Sequence, residues 1–368
     1  MIDPRLSKLA QVIVRYSLDI KRNDRVLIQS PVAATPLIQE VYRETIKAGA
    51  FPTIIANLEG IQEIFFQEAQ EHQLDDVNPI MEFVIDNYQC FSNIMATDNT
   101  RKLTDVPPEK QARVQKAQAE IFAKALQKMA TKELRWNLAP FPTQAMAQEA
   151  SMSLYDYSEY VFSTLRVNEE DPISEWKRME QEQAGICEYL EKKSELHFVG
   201  DKTDLTMSVA GRKWDNCCGK QNLPDGEVYT APVEDSVNGT IRFTLPGIYQ
   251  GKEIEDIQLT FKDGEVIEAT ASKGAKLLEE ILEVPGAKVL GEVAIGTNFG
   301  INRFIKNMLF DEKMGGYIHM ALGAAFPETG GLNKSGVHWD ILKDMRLSNS
   351  YIEADGEKFY VEGQFSLK

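Results

Sequence analysis

A chain of 368 residues, 43% hydrophobic and 26% charged, can bury one large core or two moderate ones, and its length favours two domains. Forty basic against fifty-six acidic residues leave a formal charge of -16, which argues against nucleic acid and anionic membranes as partners and makes cations the natural guests. Four scattered cysteines (Cys90, Cys187, Cys217, Cys218) signal neither a disulfide framework nor a CxxC zinc site. With no signal-peptide core and no run of about 20 apolar residues, the expected location is the cytoplasm.

Leu6, Leu9, Ala10, Ile13 and Val14 recur at helical spacing, and a polar KRND turn then leads into the apolar run VLIQS, which reads as a strand. A second helix carries Leu37, Ile38, Val41, Tyr42 and Ile46 on one stripe. Thr35 is placed to cap it, and Ala48-Gly49-Ala50 ends it before the strand-like PTIIANL. Alternating helices and strands predict a parallel sheet covered by helices, because parallel strands need crossover connections. A long helix over about 108–129, a strand over about 133–139 and helices over about 143–150 and 153–165 extend the pattern. Neither GxGxxG nor GxxxxGK accompanies these strands, so no nucleotide site is signalled.

A charged amphipathic helix over 173–193 bridges into a region of different texture. Leu205, Met207 and Val209 alternate onto one face, and NLPDGEVYTAP, TIRFTLPG and IEDIQLTFKDGEVIEATA read as further strands with Asp-Gly turns. One helix, over 275–283, precedes VPGAKVLGEVAIG. The expected architecture is therefore α/β: a parallel-sheet domain over 1–190 and a mainly antiparallel, β-rich domain over 191–368. The adjacent Cys217 and Cys218 would point to opposite faces of a strand, which disfavours joint metal or redox chemistry.

Two of only four histidines, His319 and His338, fall within GYIHMALGAAFPETGGLNKSGVHWD. In HWD, His338 and Asp340 on a strand would share a face about 6.5 to 7 Å apart, compatible with a metal pair or with a hydrogen-bonded surface pair. His319 lies in the apolar run YIHMALG, as a ligand or as a satisfied core histidine. The Pro-, Gly- and Asn-rich FPETGGLNKSG between them could bring both to one site. Glu227 and Glu292 each open a strand directly after a glycine, at an edge where sites are commonly assembled, although a solvated strand end is the plainer reading of each taken alone.

From about residue 200 to 346 the chain resembles the thermophilic aminopeptidase T and aminopeptidase S family of metallo-aminopeptidases. The matching segments are GRKWDNCCGKQNLPDGEVYTAP, LGEVAIGTNFGINRFIKNMLFDEKMGGYIHMALGAAFPETGG and HWD. The resemblance implies a homodimer that cleaves N-terminal residues from peptides. It also implies two divalent ions (zinc, cobalt or manganese) on Glu227, Glu292, His319, His338 and Asp340, with Glu292 the bridge and the residue on which catalysis depends. One departure from the family pattern bears on activity: where the pattern has an active-site tyrosine, seven residues after the first histidine, stands Phe326. A phenyl ring cannot hydrogen-bond an oxyanion, and losing one such donor costs roughly 100- to 1000-fold in turnover. The alternative expectation is thus an attenuated or silent metal-binding or interaction protein on the same fold, with Tyr317, two residues before His319, as a possible substitute donor. Asn302 and Arg303 also match the family segment and are read as bracing their turn.

Overall fold

Asp3 accepts a hydrogen bond from the Arg5 amide and Pro4 stands at the first helical position, so the opening helix starts at Pro4 and runs to Val12, burying Leu6, Leu9, Ala10 and Val12. The structure, a computed structural model, describes residues 3–367 and divides into two compact units, 3–175 with 219–224, and 176–218 with 225–367.

In the first unit the strands Phe51–Asn57, Arg25–Pro31, Cys90–Met95 and Arg135–Pro140 lie in that order, all parallel, as the helical crossovers require. Helices Thr35–Lys47 and Pro108–Ala130 are among the connections. Thr35 does not cap its helix: it is the first helical residue, and its hydroxyl donates to the Val32 carbonyl at 2.5 Å. The strand Cys90–Met95 escaped the sequence reading, because CFSNIM is short and its apolar positions are interrupted by Ser92 and Asn93. Residues 219–224 extend the sheet beyond Arg135–Pro140, where the Leu138 amide donates to the Gln221 carbonyl and the Leu223 amide to the Leu138 carbonyl, both at 2.8 Å.

Among the described residues the second unit holds two large antiparallel sheets, of eight and five strands, and a small hairpin of Gly247–Tyr249 with Lys252–Ile254. The larger includes Glu195–Gly200, Thr203–Ser208, Asn238–Arg242 and the hairpin Gln258–Lys262/Glu265–Thr270. That hairpin turns through Asp263 and Gly264, both at positive φ (49° and 86°), the backbone an Asp-Gly turn supplies. The smaller sheet runs His338–Asp344, Tyr317–Gly323, Leu290–Gly296, Glu227–Thr230, Asp215–Cys217. Its apolar face, with Val228, Val293, Ile295, Ile318, Met320, Leu322, Trp339 and Ile341, joins the core that also takes Leu205, Met207, Val209, Leu259 and Phe261 from the larger sheet. The other face of the five-stranded sheet carries the candidate site. Among the described residues no helix is long and apolar enough to cross a membrane.

Candidate metal centre

Pleating assigns alternate residues to opposite faces, and cross-strand partners share a face. Glu227 pairs with Gly296 and Cys217, His319 with Ala294, Ala321 with both Glu292 and Asp340, and Gly323 with His338. The five residues nominated from sequence, Glu227, Glu292, His319, His338 and Asp340, therefore all lie on the face opposite the apolar core. Between them stand Ala294, Ala321, Gly296 and Gly323, whose short side chains leave the space into which the longer ones converge.

Glu292 reaches this face through an irregularity. Leu290 pairs with Leu322 and Glu292 with Ala321, so Gly291 is an extra residue, a β-bulge. If the ladder instead ran through Gly291 in the Leu290–Leu322 register, Gly291 would pair with Ala321 and Glu292 with Met320, pointing into the apolar core. Only glycine fits the bulge, since a Cβ at position 291 would meet the Ala324 carbonyl oxygen at 2.2 Å and the Gly323 oxygen at 2.6 Å.

The side chains meet closely. His319 Nε2 is 3.2 Å from Glu292 Oε1, 3.6 Å from Glu227 Oε2 and 3.9 Å from Asp340 Oδ1. His338 Nε2 is 3.2 Å from Glu292 Oε2 and 3.5 Å from Asp340 Oδ1. Each imidazole donates from Nδ1–H to a carbonyl oxygen, His319 to Glu312 at 3.1 Å and His338 to Ala324 at 2.8 Å. Those bonds turn both Nε2 atoms inward, as metal-ligating histidines are commonly held. Glu292 and Glu227 are each only 4% exposed and His319 1%, whereas the His338 side chain is 27% exposed and marks the open side of the cluster.

The electrostatics call for cations. Burial would lower both imidazolium groups, yet their hydrogen bonds to Glu292, with Asp340 for His338, push both well upward. Burial would raise Glu292, but the two histidines hold it below the usual carboxylate range, whereas burial drives Glu227 upward despite Lys313. Glu227 Oε2 and Asp340 Oδ1 are buried without a hydrogen-bond partner. Inward carboxylates and imidazoles with such orphaned oxygens form a donor set that fits zinc, cobalt or manganese. Donor atoms within 4.8 Å of one another fall into overlapping groups, Glu227/Glu292/His319 and Glu292/His338/Asp340, with Glu292 common to both.

The family described as thermophilic metalloprotease (M29) matches residues 2–365, nearly the whole chain. The chain belongs to this family. Aminopeptidase 2 of Geobacillus stearothermophilus is 29% identical, with 100% of this chain and 98% of that protein covered. Aminopeptidase T of Thermus thermophilus is 28% identical over 88% of this chain and 85% of its own. The solved structure of wild-type AmpT from Thermus thermophilus superposes with a TM-score of 0.87 over the full length of both chains at 25% identity. The expected combination of a parallel α/β part and an antiparallel β part is thus present here and shared with the AmpT structure.

Phe326, where the resemblance leads one to expect a tyrosine, packs its ring 4.8 Å from His338 and 5.5 Å from Tyr229. Tyr317 shares the His319 face, but its hydroxyl accepts from Arg346 Nη2 at 2.5 Å and its ring lies under that guanidinium. It is held at the far end of the strand by Arg346 and is not turned toward the carboxylates. Sequence reasoning missed Glu312 and Lys313. Glu312 can join His319 and Asp340 in a further group of donors, and Lys313, 1% exposed, pairs with Glu227 and Glu312. The available signal was the unbroken charged triplet Asp311-Glu312-Lys313 at the mouth of an apolar strand.

Proposed function

We propose that this M29 metalloprotease is an aminopeptidase with a dinuclear centre ligated by Glu227, Glu292, His319, His338 and Asp340, in a catalytic domain over 191–368. The carrying observation is Glu292, whose Oε1 and Oε2 face His319 and His338 respectively, each at 3.2 Å. One carboxylate thereby belongs to two donor groups and is the natural shared ligand. Divalent ions held there supply Lewis-acid polarisation of a peptide carbonyl and lower the pKa of water. The protein's residues supply orientation: the Glu312 and Ala324 carbonyls fix the imidazole tautomers, and the apolar face behind Ala294 and Ala321 keeps the floor rigid. Substrate approaches from the exposed His338 side, and the acidic cluster attracts the ammonium of a free peptide N-terminus. The names of the aminopeptidase relatives support this choice of substrate end. Like the expected homodimer and cytoplasmic location, the identity of the metals (zinc, cobalt or manganese) belongs to this proposal.

The test is elemental analysis of the purified protein together with hydrolysis of aminoacyl p-nitroanilides and of N-acetylated controls. Metal-dependent cleavage of the free-amine substrates alone is expected, and its disappearance in Glu292→Ala. A protein without bound metal, or an active Glu292→Ala variant, would refute the assignment. Phe326 carries the second reading, a centre that binds metal but turns over slowly or not at all, since the ring beside His338 has no hydroxyl. Bound metal without turnover on any substrate would select that reading.

A further inference from the structure

Lys313 is unusual in being a lysine only 1% exposed beside a candidate metal position. Its Nζ bonds Glu227 Oε1 and, at 2.6 Å, Glu312 Oε1, and lies 3.9 Å from Asp225 Oδ1. Asp225 and Glu227 are themselves buried, at 1% and 4% exposure. Cys217, paired across the sheet with Glu227, lies on the same face, and its Sγ falls within 4.8 Å of carboxylate oxygens of Asp225 and Glu227. A thiol and buried carboxylates at such spacing form a donor group in their own right, and a thiolate among oxygens suits zinc or a softer ion. In this chain the positive charge beside that group is an ammonium.

We propose that Lys313 is a resident cation: its ammonium fills the acidic nest of Asp225, Glu227 and Glu312 beside Cys217, and so confines divalent metal to the positions that carry histidine. The physical reason is charge. Buried carboxylates without a partner are costly, so the nest takes up either a fixed cation or a mobile one, and a tethered ammonium removes the vacancy. The same bond engages Glu227 Oε1 and leaves only Oε2, the orphaned oxygen, facing His319. The assignment rests on the reading of Glu227 as a neighbour of the dinuclear centre, and it gives Cys217 a role that sequence did not: it is a latent thiol ligand shielded by Lys313.

The experiment loads the full-length chain, stripped of metal, with cobalt or zinc and counts bound equivalents for wild type, Lys313→Met, Lys313→Arg and Lys313→Met/Cys217→Ser. Lys313→Met is expected to bind one equivalent more than wild type. With cobalt it should also show an intense near-ultraviolet sulfur-to-metal charge-transfer band that wild type lacks. Lys313→Arg, which keeps the charge, should load as wild type does, and the added Cys217→Ser change should abolish the band. If wild type binds two ions and Lys313→Met also binds two with no new band, the resident-cation proposal is wrong while the dinuclear reading stands. If wild type binds none, the dinuclear reading falls and this proposal with it. Should Lys313→Met fail to fold, Lys313→Gln, uncharged and shorter, carries the same expectation and the same refutation.

Discussion

Glu292→Gln is the most informative single substitution because it keeps side-chain volume while removing the carboxylate charge shared by two imidazoles, each 3.2 Å away. With the metal chelated, the variant loses a buried charge partner, but the histidines can respond by releasing protons, so the cost stays at roughly 1–3 kcal/mol. The decisive quantity is the increment that metal adds. A ligand at 100 times its Kd stabilises the folded state by about 2.7 kcal/mol. For a unit the size of residues 176–367 less the 219–224 segment, that corresponds to about 5–10 °C in Tm. Altering a group that only orients a ligand weakens metal affinity about 10- to 100-fold, so removing a shared ligand weakens it by about 100-fold or more. At the same metal concentration about 0.4 kcal/mol then remains, a shift below about 2 °C. Differential scanning fluorimetry with and without zinc, on wild type and variant side by side, reads both increments. A Glu292→Gln protein that keeps the wild-type metal-induced rise in Tm would refute Glu292 as the shared ligand.

Gly291→Ala should destabilise by about 1–3 kcal/mol and lower metal affinity, because its Cβ would meet the Ala324 carbonyl oxygen at 2.2 Å and the bulge that turns Glu292 outward must open. Urea unfolding and metal titration check this, and wild-type values in both would remove the bulge from the account. Phe326→Tyr should raise turnover on aminoacyl p-nitroanilides, by about 100- to 1000-fold if an oxyanion donor is all that is missing; unchanged or lower kcat would mean the pocket has been rebuilt. Lys343 is fully buried and donates to the Arg242 and Asp201 carbonyls at 3.0 and 3.3 Å, and burial lowers its pKa to about 8. The unfolded chain therefore holds more protons than the folded one between about pH 8 and the unfolded lysine value, about 10.4, and stability from this residue rises with pH across that window. The difference is on the order of 3 kcal/mol. Lys343→Met, compared with wild type by urea unfolding at pH 7.5 and 10, should lack that rise, and an equal rise in both proteins would contradict it.

His338 and Asp340 could be nominated because a two-residue spacing on a strand places side chains on one face by local geometry alone, and they do lie 3.5 Å apart at their nearest nitrogen and oxygen. His319 and Glu227 drew notice as a polar residue in an apolar run and a carboxylate after a glycine turn. Their nearness to each other, 3.6 Å, depends on strand order across the sheet, which no local signal encodes. Glu312 and Lys313 stayed invisible because charged residues before a strand are ordinarily solvated, and only packing against Glu227 buries them. The strand Cys90–Met95 was missed for a similar reason: its polar positions suit a loop until neighbours pair on both sides.

By itself the sequence determined the alternation of helix and strand in the first part, the two-residue alternation in the second, and the chemical character of the donors, since all of these are written in local spacing and residue type. Tertiary structure decided which face each donor occupies. The bulge at Gly291 puts Leu290 and Glu292 on opposite faces where strict alternation would put them on one, the order of the five strands brings Glu227 within reach of His319, and burial places a lysine among the carboxylates. The physical reason is that register and strand order are set by the packing of the whole apolar face, a sum over distant residues, whereas spacing along the chain records only near neighbours.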